Sequence, residues 1–333
     1  MRVDVHAHYF PERYLDFLDR HGGPPTAIAR DPLAGDAGMG QRLAAMDAAG
    51  IGRQILSVAP VLPDIARADA GVTAARLAND AFAALIGRHP DRFAAFASLP
   101  LPHIDASLAE LARTADQLGF PGAVMGTSIF GRSLASPELA PVFEELNRRR
   151  AVLFLHPLGT GTGPLTAEHG LTWLVGAPYE DTLAAAHLML SGLLDRFPGI
   201  DIIVPHLGGT LPFLLQRLDD QYRRHPNQAA APPSRLARRL WYDTVNSHPA
   251  ALRCARDSVG ADRLLLGTDF PYLPGPMFTR AVEYIADSGI PAGEASAITE
   301  GNALRLFARS GRVQAGPTAE GRGDPHAAAR SSD

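Results

Sequence analysis

The chain has 333 residues, 46% of them hydrophobic and 20% charged, and a net charge of -4. That is enough apolar material for one large α/β domain, and the balance of charge leaves no footprint for nucleic acid or an anionic membrane. The single cysteine, Cys254, excludes an intrachain disulfide. All 31 basic residues are arginine, which excludes a lysine Schiff base and a modified-lysine bridge between two metals.

Short apolar runs alternate with longer helical patterns, the signature of βα units around a parallel sheet. The runs are Val3 to His6, Gly52 to Val58, Phe93 to Ala97, Gly122 to Met125, Ala151 to His156, Ile200 to Pro205, Leu240 to Asp243 and Leu264 to Gly267. Helical patterns cover Gln41 to Ala49, Thr73 to Arg88 and Ser107 to Leu118; another opens at Ser136-Pro137-Glu138 with a serine cap. Further ones run over Asp181 to Arg196, Leu211 to Arg224, Pro249 to Val259, Met277 to Ser288 and Ala292 to Arg309.

Eight strands with intervening helices count out a (β/α)8 TIM barrel over 1–310. An open doubly wound sheet is the alternative, but no G-x-G-x-x-G follows the first strand. Two connections are long: His21 to Gly40, and Pro157 to Glu180 with Gly159, Gly161, Gly163 and Trp173. The second falls on the face where a barrel builds its active site, which suits a lid or a substrate-shaping loop. Residues 311–333 turn to Gly, Pro, Ala, Arg and Ser and read as a disordered tail. Arg148 to Arg150 and Arg235 to Arg239 read as solvated helix ends, and Cys254 as a small buried core residue. No leader-like segment precedes the first strand and no run of 18 apolar residues occurs, so a cytoplasmic protein is expected.

Catalytic groups of such barrels stand at the C-terminal ends of the strands. The first run ends in His6-Ala7-His8, two residues apart and so on one face of a strand. Alone, that pair reads equally as two metal ligands or as two unrelated polar residues. The fifth run ends in His156, the sixth in His206-Leu207-Gly208-Gly209 and the eighth in Thr268-Asp269-Phe270-Pro271. Three imidazoles and a carboxylate, His6, His8, His156 and Asp269, suit one divalent ion: Zn, with Mn also fitting. His206 becomes the acid or base beside it. Trp173 and Tyr272 are candidates for pocket walls or for ordinary packing. His248, just past the seventh strand, is a candidate to support a ligand by hydrogen bonding. The remaining histidines need no function.

The chain resembles the amidohydrolase-related superfamily, in the branch of aminocarboxymuconate-semialdehyde decarboxylase and related decarboxylases. The likeness runs from Met1 to about Arg309. It rests on Val5-His6-Ala7-His8-Tyr9-Phe10-Pro11, Arg42 to Ile51, Arg92 to Pro100, Leu155-His156-Pro157, His206 to Gly209, Leu266 to Pro271 and Gly301-Asn302-Ala303. It implies a mononuclear metal enzyme that removes CO2 from aromatic or unsaturated acids, with general similarity to the 6-methylsalicylate decarboxylases. It further implies that Arg217 binds the substrate carboxylate in a partner subunit of a homodimer. On this chain alone Arg217 reads as an exposed charge on a helix face. The family's other arginine has no clean counterpart; Arg30 and Arg42 are the candidates.

The expectation is a metal-dependent decarboxylase of a small carboxylic acid, with His206 and Asp269 moving the proton. A hydrolase of a lactone, amide or ester would use the same residues, and a metal-binding protein without activity is the third reading.

Overall fold

A computed structural model describes residues 1–160 and 163–310. The strands in chain order are β1 (Arg2–His8), β2 (Ile51–Ser57), β3 (Phe93–Ala95), β4 (Ala97–Ser98), β5 (Gly122–Gly126), β6 (Ser128–Ile129), β7 (Arg132–Ser133), β8 (Val152–His156), β9 (Asp201–Val204), β10 (Trp241–Asp243) and β11 (Leu264–Leu265). Those of the barrel pair in parallel, in the orders β1-β2-β3 and β4-β5-β8-β9-β10-β11.

Phe96 joins the two sets: its N–H donates to Leu56, so β3 and β4 form one bent stave between β2 and β5. The other seam is closed by Val5 N–H on the Leu266 carbonyl (2.9 Å) and His8 N–H on the Phe270 carbonyl (2.7 Å). Eight staves therefore make a closed TIM barrel, as the alternation of runs predicts. Val3, Val5, Ile55, Phe154 and Ile203 are fully buried. Strands covered on both faces read as continuous apolar runs, and this is why they stood out in the sequence.

The helices hold the larger departures. Glu12–His21 is a helix where none was expected. Its charged residues interrupt the apolar pattern, but Tyr14, Leu15 and Leu18 share one buried face, and Gly22 ends it at φ 72°. Ser136 makes no side-chain cap; Pro137–Leu139 is a 3-10 turn ahead of the helix Ala140–Arg149. The expected helix Asp181 to Arg196 is two, Ala177–Leu190 and Leu193–Arg196, broken at Gly192. That of Ala292 to Arg309 is interrupted by a π turn, Ala297–Gly301. Cys254 is exposed rather than buried, because the buried face of Pro249–Val259 consists of Leu252, Ala255 and Val259.

The first long connection is a chain of 3-10 turns, Ala27–Ala29, Pro32–Ala34 and Asp36–Gly38. The second holds the turns Gly163–Thr166 and Thr172–Gly176; Gly161 and the expected tail 311–333 lie outside the described residues. Among the described residues no helix is long and apolar enough to cross a membrane.

Candidate metal centre

Parallel strands point their C-terminal ends at one mouth, so residues that terminate different strands meet there. His6 and His8 leave β1 on one face, and their Nε2 atoms lie 3.1 Å apart. Asp269 Oδ1 is 3.3 Å from the first and 3.0 Å from the second. With His156, the four ligand atoms all lie within 4.8 Å of one another.

Each imidazole is oriented from behind, which fixes its tautomer. His6 Nδ1–H donates to Asp243 (2.7 Å), His156 Nδ1–H to the Pro157 carbonyl (2.8 Å) and His8 Nδ1–H to Ser57 Oγ (3.2 Å). All three therefore turn Nε2 inward, where each neutral imidazole offers a lone pair to an ion. His156 Nε2 is buried and has no hydrogen-bond partner. Bare lone pairs at such separations repel, whereas ~3.3 Å is the edge of a tetrahedron of nitrogens about 2.0–2.1 Å from zinc. The residues fit a divalent ion.

Charge agrees with geometry. Burial opposes a proton on His6, but Asp243 and Asp269 outweigh it and raise its pKa to about 10. Burial lowers His8 to about 4 and holds His156 well below its usual range. Burial also pushes the Asp269 carboxyl up, yet His6 and His8 hold it well below the ordinary carboxylate range. With no ion present a proton on His6 answers the two carboxylates while burial opposes protonation of His8 and His156, so the centre favours a cation, which would displace that proton.

His206 stands beside this set, its ring centroid 5.3 Å from that of His6. Its Nδ1–H donates to Asp181 (2.8 Å), leaving Nε2 toward the pocket. Burial disfavours its protonation, but Asp181 prevails and the pKa is raised. The backbone that delivers it is left-handed at His206 (φ 54°) and Leu207 (φ 58°), an uncommon conformation for residues with side chains. Gly209 makes this path feasible: a Cβ there would fall 1.9 Å from the Pro178 carbonyl oxygen. Asp269 is also left-handed, at φ 59°.

Three buried aspartates that the sequence did not single out support the centre. Asp243, at the end of β10, orients His6 and accepts from the N–H groups of His206 (2.9 Å) and Val245 (3.0 Å). Asp4 accepts from the His6 N–H (3.1 Å), Gln54 (2.9 Å) and Thr268 Oγ1 (2.6 Å), which ties β1 to the loop carrying Asp269. Asp181 holds His206. Asking what ends each strand would have found Asp243; Asp181 lies within a helix and gives no such signal.

Trp173 and Tyr272 line the pocket over the centre, a cavity of about 260 Å³ shared with His156, His206 and Asp269. His248 is exposed ahead of the helix Pro249–Val259 and touches no ligand; the support expected of it comes from Asp243. Arg217 is exposed on the helix Leu211–Gln221 and does not line its own chain's pocket. Arg30 is held by Asp16 and Asp19. Arg42 is fully buried, stacked on Phe270, and donates to the His8 carbonyl and to Gln54 (3.0 Å). It braces β1 and does not face substrate space. No arginine lines the pocket among the described residues.

Comparison with known proteins agrees with this geometry. A family profile described as amidohydrolase matches residues 3–309. The 6-methylsalicylic acid decarboxylase of Penicillium expansum is 31% identical over 326 residues, covering 92% of this chain and 96% of its own. The gamma-resorcylate decarboxylase of Rhizobium radiobacter is 33% identical over 293 residues, covering 81% and 87%. A crystal structure of a dihydroxybenzoic acid decarboxylase from Polaromonas, with bound manganese and the inhibitor 2-nitroresorcinol, superposes with a TM-score of 0.79. It is 25% identical and covers 92% of this chain and 96% of that one.

Proposed function

The chain belongs to the amidohydrolase family, and on that premise we propose that it is a metal-dependent, non-oxidative decarboxylase of a hydroxybenzoate-type acid. The observation that carries the reading is the set of three inward imidazole Nε2 atoms and one carboxylate at converging strand ends. His6, His8, His156 and Asp269 would hold one divalent ion, which when bound supplies Lewis-acid charge and a template for the substrate's oxygens.

The chain's own residues do the rest. Trp173 and Tyr272 wall the pocket and flank an aromatic ring. His206, whose pKa Asp181 raises, stands where it can give a proton to the ring carbon that bears the carboxylate. As that C–H bond forms, the ring loses conjugation. The C–C bond then breaks, its electron pair returns to the ring and CO2 departs. Asp269 is one of the four ligands, whereas His206 lies outside the set with Nε2 toward the pocket, so we assign the transfer to His206.

The decarboxylase relatives and an apolar pocket favour this reading over hydrolysis of a lactone, amide or ester. Three nitrogens and one oxygen suit Zn, which we propose as the resident ion; the manganese in the Polaromonas structure makes Mn its competitor.

We further propose one barrel domain over 1–310 and a homodimer. Leu174, Val175 and Phe213 are 71%, 57% and 83% exposed. Phe213 stands one turn from Arg217 on the helix Leu211–Gln221. Exposed apolar side chains, one of them a turn from an arginine, suit a subunit contact that offers Arg217 to the neighbouring pocket. The exposed thiol of Cys254 suits a reducing compartment such as the cytoplasm.

Metal-replete protein is expected to release CO2 from 6-methylsalicylate or 2,6-dihydroxybenzoate. Asp269→Asn is expected to remove that release while the circular dichroism spectrum stays unchanged. Undiminished release by this variant would refute the assignment.

A further inference from the structure

The pocket over the metal centre has a second, larger cavity next to it. The inner space is about 260 Å³ and the outer about 520 Å³, and Ile28, Pro60 and Trp173 wall both. Pockets that enclose small molecules span roughly 300–1,000 Å³. The inner space alone suits a single substituted ring, and the outer one lies well within that range.

The outer cavity is built rather than incidental. Its walls come from four separate places in the chain: the segment 24–28, the loop after β2 with Pro60, Val61, Leu62 and Asp64, the β6–β7 hairpin and the loop after β8. Apart from Asp64, Ser128 and Thr160, the lining side chains are apolar. Phe130, at the hairpin tip, is held over the cavity in the left-handed region at φ 49°. Trp173 lies against Gly159, where an added Cβ would come within 3.0 Å of the indole. The close approach to Gly159 sets the position of Trp173.

In this apolar surround sits one carboxylate. Asp64 is half-buried at the cavity wall; among the described residues it has no hydrogen-bond or ion-pair partner, and loss of hydration raises its pKa to about 7. A carboxyl among apolar groups costs stability unless it meets a donor. Nothing in the metal centre uses it.

Building on the decarboxylase reading, we propose that the preferred substrate is an ortho-hydroxy aromatic acid extended by an apolar arm that ends in a hydrogen-bond donor. The ring occupies the inner pocket. The arm passes between Ile28, Pro60 and Trp173 into the outer cavity and presents its donor to Asp64. The compact 6-methyl acid fills only the inner space.

The test compares three probes on the metal-loaded protein: 6-methylsalicylate, 6-pentylsalicylate and 6-(5-hydroxypentyl)salicylate. CO2 release gives kcat/KM and calorimetry gives Kd. A single methylene in an apolar pocket is worth roughly tenfold or more. The pentyl acid is accordingly expected to exceed the methyl acid by about tenfold or more in both measures, and the hydroxypentyl acid to exceed the pentyl. Ala27 is an exposed wall residue, so Ala27→Trp fills the cavity at little risk to folding and is expected to abolish the long-arm preference. Asp64→Leu is expected to remove only the advantage of the terminal hydroxyl.

Equal values for all three probes, or a long-arm preference that survives Ala27→Trp, would overturn the proposal. A hydroxyl advantage that survives Asp64→Leu would overturn the part given to Asp64. If no probe releases CO2, the decarboxylase reading falls, and the Kd series still decides whether the outer cavity takes the arm, because binding needs no turnover.

Discussion

Asp181 and Asp243 do different work through different histidines, and substitution separates them. Asp181→Asn leaves the hydrogen bond to His206 and removes the charge that raises its pKa. General acids contribute about 10²–10⁴-fold, so kcat is expected to fall by about 10² with bound metal unchanged. A fall in metal content instead would move Asp181 into the ligand support. Asp243→Ala strips His6 of the partner that fixes its tautomer. Loss of such a partner costs metal affinity about 10–100-fold, read by chelator competition; unchanged affinity would show that His6 needs no orienting. Asp64 yields a pH prediction. Its folded pKa, about 7, lies above the unfolded carboxylate value, so the native state binds the extra proton and stability falls as pH rises between about 4 and 7. Asp64→Asn lacks that fall. Its stability relative to the parent is expected to grow across this window and level off above it, by denaturant unfolding at several pH values. A constant difference would mean the carboxyl is solvated.

The turn after β9 is where backbone cost and function meet. His206 and Leu207 take left-handed conformations, and Gly209 passes against the Pro178 carbonyl with no room for a Cβ. Gly209→Ala is expected to destabilise the protein by about 2 kcal/mol or more and to displace His206; parent-like stability and activity would contradict the geometry. The same turn shows what the sequence reveals. The strands were legible because burial on both faces makes them unbroken apolar runs, and His6, His8, His156 and Asp269 because they end those runs. The helix Glu12–His21 was not, since only Tyr14, Leu15 and Leu18 face inward among charged neighbours. Nor were Asp4 and Asp181, whose importance lies in contacts across more than twenty residues of chain, with Gln54 and Thr268 in one case and His206 in the other. His248 is exposed for a related reason: proximity in sequence to a strand end does not turn a side chain inward.

At the scale of the whole molecule, the barrel brings residues from both ends of the chain to one mouth. Asp4 bonds Thr268, and β1 closes on the segment after β11. An ion bound by His6, His8, His156 and Asp269 would join the strands across this seam, so metal binding is expected to stabilise the fold. A free concentration one hundred times Kd adds about 2.7 kcal/mol; removal by chelator should lower the thermal midpoint by several degrees, and re-addition should restore it. The central claim is tested most directly by incubating metal-replete protein with 6-methylsalicylate labelled at the carboxyl carbon and following label and phenol together. The account predicts one labelled CO2 for each 3-methylphenol formed, and none from metal-stripped protein. No labelled CO2 from this acid or from 2,6-dihydroxybenzoate, alongside metal-dependent hydrolysis of an aryl ester or lactone, would contradict it.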